Sequence, residues 1–138
     1  MRSDYTVFSE ACRLLGINPA LVPLVGPAEW KAIVGRGVPR RARGVASPRH
    51  RVVYVKRGSP LDVFVHELLH LLFPSRPHWW IYEATWSLCG IETKERWRYS
   101  GGHWTQSGQH KMESVQRIRQ LAARSARRRG LAAANQQA

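Results

Sequence analysis

A chain of 138 residues, 43% of them hydrophobic, has room for one domain with a modest core, and that composition excludes global disorder. Its two cysteines, Cys12 and Cys89, exclude a disulfide framework and offer no Cys-x-x-Cys metal spacing. A formal net charge of +13 points toward acidic partners: nucleic acid, anionic lipid surfaces or acidic proteins.

The N-terminal segment lacks the charged-then-apolar order of a signal peptide, since Asp4 and Glu10 interrupt it. No apolar run approaches the roughly 20 residues that cross a bilayer. The nearest, "LLGINPALVPLVG", is broken by Pro19 and Pro23. A cytoplasmic, monomeric protein with reduced thiols and no membrane contact is expected.

In chain order, Asp4 is expected to cap a helix running to Leu15. Val7, Ala11, Leu14 and Leu15 would share its inner face, and Gly16 would stop it. A second helix is expected from Pro27 to Val34, with Trp30 and Ile33 inward. Residues 35–51 are rich in arginine, glycine and proline and read as a loop. "RVVYVK" (51–56) has the β-branched and aromatic content of a strand. Ser59 is expected to cap the next helix, with Pro60 at its first position, Asp62 in its first turn and Pro74 ending it beyond Phe73. After the breaker "PSRP", a further helix should run from His78 to Cys89 and end at Gly90. Residues 92–108 receive no assignment. A basic amphipathic helix is expected over 110–128, with Met112, Val115, Ile118, Leu121 and Ala122 on its apolar face. The resulting fold class is α+β, one domain over 1–130 followed by a flexible tail at 131–138.

The stretch "HELLHLLF" places His66, Glu67 and His70 on an otherwise apolar helix. Buried without partners, those polar groups would cost roughly 1–3 kcal/mol each. Histidines four residues apart lie on one helical face, so both imidazoles can reach one Zn²⁺, at about 2.0–2.1 Å. The glutamate after the first histidine can then take a proton from metal-activated water. His66 and His70 are therefore candidate ligands and Glu67 the candidate general base, with one zinc per chain.

A catalytic zinc takes a third protein ligand. Residues 71–82 separate Glu83 from His70, and an antiparallel helical hairpin joined by "PSRP" can bring Glu83 level with the metal. Glu83 is the preferred ligand, since its charge offsets the cation. His78 is the alternative, as a ligand at a sharp chain reversal or as a donor to an oxyanion. Tyr82, Tyr99 and His103 are further candidate transition-state donors.

"HELLH" followed by "WIYEATW" resembles the gluzincins, and among them the small single-domain minigluzincins. The likeness covers about a quarter of the chain. It implies a zincin-like domain, with a short sheet packed on the motif helix, and a zinc peptidase with His66, His70 and Glu83 as ligands. The linker is shorter than in thermolysin, and Ser87 stands where thermolysin-like enzymes carry an aspartate. "PSRPHWW" is also similar to the SprT-like and Spartan proteases, where a histidine is the third ligand and substrates are DNA-bound proteins. His78 arrives several residues earlier than in that pattern.

The expected function is hydrolysis of a peptide or protein substrate, with an extended peptide pairing to the strand "VVYV". The competing expectation is a nucleic-acid-binding module with a non-catalytic metal. It would use the Arg-rich loop 36–51 and the basic C-terminal helix.

Overall fold

The structure, a computed structural model, describes residues 3–91, 97–100, 103–106 and 114–133. Among them the fold is α+β: five α-helices, one antiparallel pair of strands and a separate hairpin.

Helix α1 (Asp4–Leu15) begins at Ser3, whose Oγ accepts from Thr6 N at 3.1 Å, and ends at Gly16 in the left-handed region (φ 73). Ser3 is thus the cap in place of Asp4. The Asp4 carboxylate instead accepts from the Gly58 backbone N–H at 3.2 Å. The inner face of α1 is Phe8, Ala11, Cys12 and Leu15, rotated slightly from the expected one, and Val7 and Leu14 are only partly buried. A 3₁₀ turn (Pro19–Leu21) leads to α2 (Pro27–Val34), which buries Trp30 against Val25 and Val52. Ile33, expected inward, is 42% exposed, because α2 covers only the margin of the sheet.

Strand β1 (Gly44–Ser47) lies inside the segment expected to be a loop. It pairs with β2 (Val52–Val55), Gly44 opposite Val55 and Ser47 opposite Val52. Composition hid β1 because its extended state comes from pairing and packing rather than from intrinsic preference. On its other side Val53 of β2 donates to Pro23 O (3.2 Å) and accepts from Val25 N (3.0 Å). Among the described residues β1 pairs with β2 alone. The unpaired edge therefore belongs to β1, not to "VVYV".

Helix α3 (Leu61–Leu72) is the centre of the fold and packs against α1, α4, α5, β1 and β2. Pro60 sits at its cap position, while Ser59 Oγ donates to Lys56 O at 2.6 Å and so stabilises the preceding turn rather than the helix. Phe64, Val65, Leu68, Leu69, Leu71 and Leu72 are at most 1% exposed. Burial on most sides is what an apolar helix without a polar face requires. Pro74 cannot continue the helix, and α4 (His78–Cys89) starts after Pro77 and stops at Gly90 (φ 71).

Strands β3 (Trp97–Ser100) and β4 (His103–Gln106) form a hairpin within the unassigned region. Helix α5 (Val115–Arg128) is capped by Ser114 and buries Ile118, Ala122, Ser125 and Ala126. Val115 is 42% exposed, as the apolar stripe begins one turn later. Residues 110–113, including Met112, lie outside the described residues. Leu131 and Ala132, expected in a flexible tail, are 3% and 2% exposed, and Ala132 bridges to Ile17. Residues 134–138 lie outside the described residues. No described helix is long and apolar enough to cross a membrane.

Candidate metal centre

The four-residue spacing on α3 puts His66 and His70 on one face, and their Nε2 atoms come within 3.1 Å of each other. Ligand atoms of His66, Glu67 and His70 all lie within 4.8 Å of one another. Both histidines are half-buried and Glu67 is 7% exposed. The trio anticipated from the motif is therefore one spatial group.

Burial pushes the Glu67 carboxyl up to about 7, since the carboxylate loses its water. It pushes His70 down to about 4, with the nearby His78 ring adding to the effect. A neutral imidazole is the form that binds a metal. Imidazole donors suit zinc and its transition-metal neighbours rather than magnesium or calcium. Converging imidazole nitrogens beside a carboxylate make a donor set that fits a zinc ion.

Helix α4 brings two further aromatic rings to this face. The His78 ring centroid lies 4.9 Å from that of His70 and 6.3 Å from that of His66. The Tyr82 ring lies 4.8 Å from His66. His78 stands at the helix start, exposed, and the half-buried Tyr82, four residues on, shares its face. Glu83 is 2% exposed, and neither it nor His78 joins the group of mutually close ligand atoms. It follows Tyr82 by one residue and is therefore turned about 100° round the helix axis. Tyr99 and His103 fall on β3 and β4, and their side chains lie outside the described residues.

One residue of the centre gave no signal in the sequence. Gly44, on β1, lies directly over Glu67: a Cβ built there would meet Glu67 Cγ at 2.8 Å and Oε2 at 2.9 Å. Only a glycine lets the strand come this close to the carboxylate. A glycine in an arginine-rich stretch reads as a turn residue, so its role emerges only from the packing of β1 on α3.

Two cavities meet at Gly44, His66 and Glu67. One, of about 270 Å³, extends past Arg43, Asp62, Tyr82, Thr85 and Trp86. The other, of about 360 Å³, follows β1 along Val45, Ala46 and Pro48 to His70 and Pro74. Together they form an open cleft beside the strand edge, with the His-Glu-His group at its midpoint. Comparison with protein-family models, with curated proteins and with solved structures finds no match, so the likeness to zincins rests on this His-Glu-x-x-His group alone.

Proposed function

We propose that this chain is a small zinc-dependent peptidase centred on His66, Glu67 and His70. The observation that carries the reading is the 3.1 Å convergence of two imidazole nitrogens beside a buried carboxylate, at the midpoint of a cleft. His66 and His70 would hold the ion. Glu83, buried on α4, and His78, whose ring centroid stands 4.9 Å from that of His70, are the two candidates for the third ligand.

When bound, a divalent zinc supplies the positive charge that polarises a carbonyl and acidifies water. Glu67 does the proton work: its carboxylate takes a proton from the attacking water and returns it to the departing amine. A carboxyl that burial tunes toward neutrality can serve in both directions near pH 7. The edge of β1, unpaired among the described residues, offers backbone N–H and C=O groups to an extended peptide and so lays the scissile bond along the cleft. The Tyr82 ring, against His66 on the cleft wall, is the side chain best placed among the candidates to meet substrate.

The test is zinc content by plasma mass spectrometry, together with hydrolysis of a mixed peptide library. Wild type should hold about one zinc per chain, a stoichiometry that follows from a single open site. His70→Ala should lose it, as should whichever of Glu83→Ala and His78→Ala removes the third ligand, while Glu67→Gln keeps it. Glu67→Gln should lower hydrolysis by about 10²–10⁴-fold. Zinc lost with Glu83→Ala and kept with His78→Ala would assign the third ligand to Glu83, and the reverse would assign it to His78. Wild type that takes up no zinc on reconstitution would remove the proposal.

A further inference from the structure

A second feature lies beyond the candidate metal centre, on the outer side of the α3–α4 connection. There Arg76, Arg124, Arg128 and Arg129 line an open groove of about 510 Å³, floored by Leu72, Phe73 and Leu121. No carboxylate is among the described residues that line it. Four guanidinium groups converging without a counter-charge among the described residues repel one another, so their grouping works against the stability of the free chain.

Two of the four are held in place. The Arg76 guanidinium lies 4.6 Å over the Trp80 ring. Arg129 Nε donates to Ser125 Oγ at 3.2 Å. Ser125 is itself fully buried, and its hydroxyl donates to Leu72 O at 2.7 Å. Such anchoring reduces the side-chain entropy lost on binding.

The positive charge is also linear. Helix α5 carries Arg117, Arg119, Arg124, Arg127 and Arg128, with no lysine and no acidic residue. Fourteen residues of helix span about 21 Å. On its opposite flank Arg13 and Arg119 line a second groove, between α1 and α5. Cations in the last turn offset the helix dipole, which accounts for Arg127 and Arg128, and Arg119 Nε donates to Leu14 O at 3.2 Å, but neither accounts for Arg76, Arg117 or Arg124. Exclusive use of arginine matters as well, since its planar fork binds phosphate oxygens in pairs.

We propose that α5 and the α3–α4 connection form a nucleic-acid-binding surface, with phosphates of the backbone seated in the groove of Arg76, Arg124, Arg128 and Arg129. The groove offers cations on an apolar floor, a lining that grips phosphates rather than base edges, so binding is independent of base sequence. This surface stands apart from the peptidase reading and needs no metal.

Fluorescence anisotropy tests it, with a labelled mixed-sequence oligonucleotide and the full chain at about 50–200 mM salt. Wild type should bind with an affinity that falls steeply with salt. The variant R76Q/R124Q/R128Q should bind far more weakly, with a log–log salt slope shallower by about 2, at roughly 0.7 for each phosphate no longer neutralised. All three substituted side chains lie at the surface, and circular dichroism checks that the variant folds. A variant of equal charge loss elsewhere, K31Q/K56Q/R57Q, should keep the wild-type slope. Absence of binding by wild type overturns the proposal, as does equal loss in both variants, which marks a diffuse charge effect. Displacement by poly-glutamate as effective as by unlabelled oligonucleotide, at equal charge concentration, overturns it in favour of an acidic polypeptide.

Discussion

Replacing Gly44 by alanine would put a methyl group 2.8 Å from Glu67 Cγ, and an atom so near the α3 backbone cannot swing aside as the carboxylate tip can. The substitution should cost about 1–3 kcal/mol, as overpacking of a filled space does. It should also reduce hydrolysis while leaving zinc in place. In the double variant with Glu67→Ala the clash is gone. The combined cost in urea unfolding should fall short of the sum by about 1 kcal/mol or more, and additive costs would show that the two do not share one space. The metal-free protein offers a second test through pH. Glu67 titrates at about 7 when folded and near its ordinary 4.5 when unfolded, so between those values the fold holds a proton the unfolded chain has released. Stability from this group falls as pH rises through that window. His70 titrates at about 4 rather than 6.5, so there the unfolded chain binds the extra proton and stability rises with pH from 4 to 6.5. The slopes oppose each other in wild type. Glu67→Gln should leave the His70 slope, visible as a thermal midpoint that climbs between pH 4 and 6.5, and a flat profile would contradict this assignment.

Among the elements, α3 and α4 were legible because their boundaries are local chemistry: Pro74 and Pro77 break the chain, Gly90 ends α4, and the histidine spacing marks one helical face. Which α4 residue meets that face was not legible. Counting residues along two antiparallel helices gives height along the axis, and by that measure Glu83 is level with His70. Rotation about the axis is decided by packing, which sets the His78 and Tyr82 rings beside the imidazoles and buries Glu83 on the same helix. Strand β1 was hidden for a similar reason, since its arginine-rich surroundings outweighed four small residues that only pairing makes extended. The contact between α5 and the end of α3 is a non-local tie of the same kind. Ser125 Oγ donates to Leu72 O, a carbonyl of the last turn of α3. Ser125→Ala strands that buried acceptor and frees Arg129, and should lower stability by about 1–3 kcal/mol in urea unfolding. An unchanged midpoint would mean that another donor replaces the hydroxyl.

At the scale of the whole molecule, the described chain closes on itself. Leu131 and Ala132 fill the core next to Ile17, Asn18 N donates to Leu131 O at 2.8 Å, and Ala133 N donates to Gly16 O at 3.0 Å. A chain ending at Gly130 should lose about 3–4 kcal/mol relative to one ending at residue 133, from one buried leucine and two backbone hydrogen bonds. Equal unfolding midpoints for the two would show the segment to be dispensable. The same closure has a consequence for how the protein is made. Ribosomes deliver the chain from its N-terminus, so every residue of the His-Glu-His centre is made before α5. Until then the apolar surfaces of α1 and α3 that Ile118, Ala122 and Ala126 will cover stand open. A nascent chain stalled at that point would present a sticky, half-built domain with its histidine pair already made, and the interval before the final helix is its window for chaperone capture.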